Sequence, residues 1–422
     1  MSLSTWPRGS SRAAFVAPER RAEAAALRAA PSARATGRRA DLDWIRVGAF
    51  GLLILYHVAL VYGPFDWHVR SSHTFGWLRE ALLVTQPWRL TLLFLVSGAA
   101  LRFMAGARTP GAVLRARAAR LLAPLAFGVV VLVPVQAWIE ATDKGTWSGG
   151  FIAWMAQEFS PAGLRDGIPV NHLWFVVYVC VYTAVAIPLL ARPGWTRALE
   201  RGLEWSLSGW RLLVAPALYL IVARAVLFYW FGLTNTLVGD WYNHAQSLGA
   251  FLFGFLAARR EAVWRDFERL RWVSLGLCAA ALPLAMIQSA HPGGGAFHEI
   301  PRNAVYALDQ WATIAAILGF GSRHLRGAST PSLTYLNQAV FPCYLAHQTV
   351  LVIAAWLIRP AALPVAVEAL SLVGVTFTAS LAIYEVVRRI PALRPLWGLK
   401  PQVRAANPLR PNAASQQQAG FR

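Results

Sequence analysis

Long apolar runs separated by short polar stretches pattern this chain from about residue 44 to residue 386. Ten runs are long enough to cross a bilayer: about 44–63, 87–105, 119–139, 172–191, 211–231, 242–258, 272–289, 303–320, 335–358 and 364–386. A span needs about 20 mostly apolar residues, and in lipid the backbone must satisfy its own polar groups. The pattern therefore predicts an all-α integral membrane protein with about ten transmembrane helices in one bundle. It also predicts three regions. Residues 1–40 form a basic, disordered cytoplasmic tail, residues 41–390 the ten-span domain, and residues 391–422 a cytoplasmic C-terminal tail.

Charge orients the set. With alternating loops and the N-terminus inside, the inner segments carry Arg115 and Arg117, Arg197 and Arg201, five arginines between 259 and 271, Arg323 and Arg326, and Arg388, Arg389 and Arg394. The outer segments hold little beyond Arg70, Arg79, Lys144, Arg165, Arg302 and Arg359. Basic residues gather in cytoplasmic loops, so both termini are expected in the cytoplasm. The first 40 residues carry eight arginines, broken by Pro7, Pro18 and Pro31, with a short helix expected around Pro18–Ala30. Such a tail suits anionic headgroups, which makes membrane lipids an expected partner. It lacks an apolar core, so no cleavable signal peptide is expected and the first run reads as an uncleaved signal-anchor.

Composition agrees. The chain is 56% hydrophobic and 14% charged, well below the quarter typical of soluble domains. Its net charge of +20 is explained by the loop bias, so no nucleic acid is expected. Cys180, Cys278 and Cys343 all fall in apolar runs, with no metal-binding spacing, and read as small buried hydrophobes. No metal is implied. The chain has no internal repeat, dinucleotide fingerprint, phosphate loop or HExxH.

Ionisable residues inside spans are where chemistry is sought. In DLDWIRVGAFGLLILYHVALVYG, Arg46 and His57 stand eleven residues apart, within about 20° of one helix face and about 16 Å along it. Asp43 sits three residues before Arg46 and can pair with it. Two readings of His57 stand: a titratable base in a site, or a structural hydrogen-bonder to a neighbouring helix. Tyr344 and His347, three apart, put a second histidine mid-membrane and favour the first. Arg117 and Arg120 share a helix face, with Arg115 nearby. Phosphate recognition and ordinary loop bias fit them equally. Ser97 and Gly98 fall mid-span, where a small-residue packing notch is expected. Arg224 is expected to pair with Glu385 or Asp309. The outer loops hold Asp66, Trp67, His68, His73 and Trp77, then Asn171, His172 and Trp174. Tryptophan at span ends suits the interfacial belt, and with carboxylates it also suits a sugar cleft. An intramembrane His and Arg can equally mark a transporter path. Against that, no Gly/Pro-broken helices recur in corresponding halves. A membrane anchor or sensor would leave two intramembrane histidines unexplained.

Taken in order, these motifs resemble the membrane-bound acyltransferase family 3, the ten-span O-acyltransferases of bacterial surface sugars. Arg46…His57 matches its Arg-x10-His motif. Trp88-Arg89…Phe94-Leu95-Val96-Ser97-Gly98 is similar to its second-span signature. Arg117-Ala118-Ala119-Arg120 matches RxxR, and His172-Leu173-Trp174-Phe175 matches HLWF. The ending, Tyr384-Glu385…Arg388-Arg389-Ile390-Pro391…Trp397-Gly398-Leu399-Lys400, is similar to the glucan biosynthesis protein C branch, which succinylates periplasmic glucans. The resemblance covers about residues 39–400. The periplasmic hydrolase-like domain that some members append is not expected to take part here.

The resemblance implies a multi-pass protein of the bacterial inner membrane. The donor would be acyl-CoA, as co-substrate and not as a permanently bound cofactor, and the acceptor a glycan. It implies Arg46, Arg115, Arg117 and Arg120 at the donor phosphates. His57 would be general base or acyl carrier, with Asp43 orienting Arg46. Ser97, Tyr344 or His347 would donate to the oxyanion, and Trp67, His172 and Trp174 would face the acceptor. Arg89 or Arg224 would hold the carboxylate of a succinyl group. Neither the acyl group, the acceptor nor the oligomeric state can be read from the motifs.

Overall fold

A computed structural model describes residues 39–401 except 292, 294 and 295. The expected tail over 1–38, with its helix around Pro18–Ala30, and residues 402–422 lie outside the described residues. The described chain is helical throughout, without strands. Its long helices are α1 Ala40–Tyr62, α2 Arg89–Ala105, α3 Pro110–Asp143, α4 Trp174–Ala191, α5 Arg211–Phe231, α6 Trp241–Ala257, α7 Glu261–Ala290, α8 Ala296–Leu325, α9 Pro331–Ile358 and α10 Val365–Arg389. Each coincides with one predicted span. Among the described residues, nine helices are long and apolar enough to cross a membrane. α6, at 17 residues, is the shortest of the ten together with α2, whose span the preceding turns extend back to Leu78. The chain is a multi-pass, all-α membrane protein.

Local sequence explains the helix ends. Thr109 and Thr330 cap α3 and α9, their hydroxyls accepting from Ala112 N at 3.3 Å and Leu333 N at 3.0 Å. In each case proline follows at the first helical position, where its missing N–H costs nothing. α3 passes through one wide turn, Gly128–Leu132. Pro134 has no N–H for the Val130 carbonyl, which is a direct cause of that irregularity. α5 carries a second wide turn, Arg224–Phe228.

α1 sits inside the bundle against α2, α8, α9 and α10. α9 is buried along most of its length, including Leu345, Ala346, His347 and Leu351. α2 and α6 meet backbone to backbone. A Cβ on Gly98 would strike the Phe251 carbonyl, and one on Gly254 would strike the Leu95 carbonyl. The notch expected at Gly98 is therefore half of a reciprocal glycine contact, closed over by the fully buried Phe94, Leu95, Phe251 and Phe255.

After α10 the chain turns back onto the bundle. Trp397 is buried, its ring 5.4 Å from that of Phe127 in α3, and Gly398, at φ +70°, lies against Phe341 of α9. The segment around Trp397 and Gly398 is thus packed on the bundle. Its few apolar residues are too sparse to read as a span but sufficient to seat a turn.

Candidate functional site

Three histidines from three helices converge near the end of α1. His347 Nδ1 lies 2.6 Å from the Tyr344 carbonyl, which can only accept, so this nitrogen carries the proton. His347 Nε2 then presents a lone pair to His57 Nδ1, 2.9 Å away. His57 therefore donates from Nδ1 and keeps its own lone pair on Nε2. The two imidazoles lie nearly parallel, 17° apart, and the Trp67 indole lies within 21° of the His57 ring at 5.4 Å. His57 is thus held in one tautomer and one orientation. His172 is buried, donates from Nε2 to the Leu345 carbonyl at 3.2 Å, and meets His347 edge-on at 5.3 Å. Its carbonyl accepts from the Tyr344 hydroxyl. Asn171 adopts φ +40° to start the turn that seats His172, and its amide donates to Gln136 Oε1 at 3.0 Å. Asn is one of the few residues that tolerates that backbone.

Of these groups His57, Trp67, Asn171, His172 and Tyr344 line a cavity of about 830 Å³, with His347 behind His57. On one side the lining residues His68 and Gln348 are backed by a polar network. Glu140 accepts from His68 Nδ1, while His68 Nε2 accepts from Gln348 Nε2 at 2.8 Å. Gln348 also reaches Gln136 Oε1 at 3.2 Å, and Gln136 donates to Thr349 at 2.7 Å. Outside the spans, Lys144 binds both Glu140 and Asp66 at 2.7 Å. Partial burial works to lower the Lys144 ammonium, but the two carboxylates outweigh it and hold it above its ordinary range. The opposite wall brings Trp174, Arg89, Arg224, Tyr242 and Tyr306 to the same space.

The other end of α1 holds a second cluster. Arg46 pairs with Asp43 at 3.8 Å, as its spacing predicts. Asn337 of α9 joins both, accepting from Arg46 Nη1 at 3.1 Å and donating to Asp43 at 2.9 Å. Arg117 donates to the Ser97 carbonyl at 3.4 Å, and its buried Nε finds no partner. Arg46 and Arg120 each stand close enough to Arg117 to act on it as a like charge. Arg115 is exposed, two residues from Arg117 and so on another helix face.

The structure thus brings His57, His172, Tyr344, His347, Trp67, Trp174 and Arg89 together, and gathers Arg46, Asp43, Arg117, Arg120 and Ser97 at the opposite end. Ser97 lies outside the residues that line the cavity. The protons of Tyr344 and His347 are engaged by the His172 and Tyr344 carbonyls. The pairing expected for Arg224 is not found. Glu385 pairs with Arg388 and Arg389, and Asp309 lies with Thr313. Arg224 instead donates to Asn303 and to the Tyr242 hydroxyl, both at 2.9 Å, and lies 3.8 Å over the Tyr306 ring. Sequence reasoning missed Glu140, Gln136, Gln348 and Asn337. Gln136 stands alone in an apolar run, while Glu140, Asn337 and Gln348 have polar neighbours in sequence that hide them among ordinary span-end residues.

A multi-pass bundle with paired imidazoles over a buried cavity and an arginine cluster behind it is the frame of a membrane acyltransferase. The family described as "Acyltransferase domain" matches residues 39–385, and the chain belongs to that family. Among curated proteins it is similar to "Glucans biosynthesis protein C" from Salmonella paratyphi B, Salmonella dublin and Salmonella enteritidis. Each is 23% identical over 388 residues, covering 86% of this chain and 95% of the relative. No solved structure matches.

Proposed function

We propose that this acyltransferase moves an acyl group, acetyl or succinyl, from acyl-CoA to a hydroxyl of an envelope or periplasmic glycan, with His57 as general base. The observation that carries the reading is the His347–His57 hydrogen bond, because it leaves His57 Nε2 unprotonated at the cavity. In this scheme Nε2 takes the proton of the acceptor hydroxyl as the oxygen attacks the thioester carbonyl. The tetrahedral intermediate then expels the CoA sulfur, which receives the proton back from His57. His347 Nε2 accepts from the imidazolium that forms in between and disperses its charge. Arg46, Arg117 and Arg120 hold the donor's phosphates at the far end of α1, and Asp43 and Asn337 orient Arg46. The separation of about 16 Å between Arg46 and His57 suits a long, thin donor threading between the two clusters. The arginine end faces the cytoplasm of a bacterial inner membrane, and the cavity opens outward to the glycan.

The test is CoA-thiol release by purified protein in nanodiscs with acetyl-CoA and succinyl-CoA, alongside His57→Ala. Loss of at least about a hundredfold in His57→Ala, with normal protein levels, is expected. Full turnover in that variant would remove His57 from the chemistry.

A further inference from the structure

The cavity wall facing His57 carries a cationic pair that base catalysis does not need. Arg89 is 2% exposed and has no carboxylate partner among the described residues. Its guanidinium sits 3.9 Å over the Tyr56 ring and donates to Thr85 at 3.1 Å, while its Nε is left without a partner. Arg224 is held in an aromatic cage of Phe228, Tyr242 and Tyr306 and likewise meets no carboxylate among the described residues. Tyr306, whose ring Arg224 covers, lines the same cavity as both arginines. Among the described residues four arginines line the cavity, Arg79, Arg89, Arg224 and Arg302, and no Asp or Glu does. Arg302 is satisfied by Glu299. Burying a guanidinium without an anion is costly, and aromatic faces offset only part of that cost. Arg89, buried, and Arg224, half-buried, facing one cavity make a binding site for negative charge.

We infer that Arg89 and Arg224 form an anion subsite that takes a carboxylate or phosphate group carried by a substrate. This subsite is separate from the arginine cluster at the other end of α1. Its location beside Tyr56, the neighbour of His57, puts the anion next to the reacting carbonyl. Two substrates can supply it. One is a donor whose acyl chain ends in a second carboxylate. The other is an acceptor glycan bearing an anionic substituent. The inference rests on the acyl-transfer reading for the identity of the substrate, but not for the presence of the subsite.

The experiment uses the full chain in nanodiscs, as wild type, Arg89→Gln, Arg224→Gln and Arg224→Lys. Thermal melting with free succinate, and separately with inorganic phosphate, probes the subsite without CoA. At least one anion raises Tm in wild type and in Arg224→Lys, and fails to do so in Arg224→Gln. Titration with CoA, acetyl-CoA and succinyl-CoA reads the donor source. A preference of about tenfold or more for succinyl-CoA, collapsing towards unity in Arg224→Gln while acetyl-CoA binding persists, assigns the anion to the acyl chain. Equal donor affinity, with an anionic oligosaccharide preferred over its neutral counterpart, assigns it to the acceptor. No anion effect on Tm and no charge preference in either substrate overturns the subsite. Failure of CoA itself to bind counts against the donor reading alone. If Arg89→Gln fails to fold, the two Arg224 variants still decide, because lysine keeps the charge and glutamine does not.

Discussion

At the level of single side chains, the site is defined by which nitrogen holds which proton. On the proposed mechanism His347 acts through His57, so it is a positioning residue whose loss differs from loss of the base. With His347→Ala, His57 loses the acceptor for its Nδ1 proton and is free to present either tautomer. We expect kcat to fall by about ten- to a hundredfold, with donor affinity nearly unchanged. His347→Gln, whose amide oxygen can accept from His57 Nδ1, should recover part of that loss. Equal activity in His347→Ala and wild type would show that the tautomer lock is irrelevant to turnover. The two histidines were legible in the sequence because an imidazole in an apolar run stands out. Their partnership was not, because 290 residues separate them and spacing along one helix says nothing about which neighbour faces it. Arg224 shows the same limit. Its place in a span was legible, but the side chain is only half-buried and the expected carboxylate partner gave way to an amide, a phenol and three rings, none of which has a charge to betray it in sequence.

At the level of helices, the positions of all ten long elements were legible, because about 20 apolar residues in a row admit little else. Their packing was less so. The α2–α6 contact depends on two glycines, of which only Gly98 lay in a recognisable motif. Gly98→Ala and Gly254→Ala each push a methyl into a facing backbone carbonyl. Neither carbonyl can move without moving its helix, so each substitution should cost about 1–3 kcal/mol or more. Gly276→Ala is the control, because nothing lies within 4 Å of a Cβ there. Thermal melting in detergent should show a clear drop in Tm for the first two and little change for the third. A neutral Gly98→Ala would mean that the two backbones are not in contact. The same contact bears on function, since α2 carries Arg89 to the cavity at one end and, through the Ser97 carbonyl, meets Arg117 towards the other.

At the level of the whole molecule, the two polar clusters give the bundle a direction, and the direction can be measured. The proposed acyl transfer needs the arginine cluster where CoA thioesters are made and the cavity where the glycan is. The loop charges argue the same orientation independently, since the arginine-rich 192–210 and 259–271 segments fall at the end of Arg46 and Arg117. Between α4 and α5, the helix Pro193–Ser206 exposes Trp195, Leu199 and Trp205 beside Arg197 and Arg201, the composition of a helix lying in the inner interface. With Cys180, Cys278 and Cys343 replaced by alanine, single cysteines at Ser148 and Ser206 report the two sides. A membrane-impermeant maleimide should label Ser148→Cys in intact spheroplasts, and Ser206→Cys only after lysis. The reverse pattern would place Arg117 and Arg120 outside, away from the CoA pool, and acyl-CoA would fail as donor even if His57 proved essential. The His57 and sidedness experiments therefore test different halves of the proposal: the first asks whether acyl chemistry occurs at the paired imidazoles, the second which compartment supplies the acyl group.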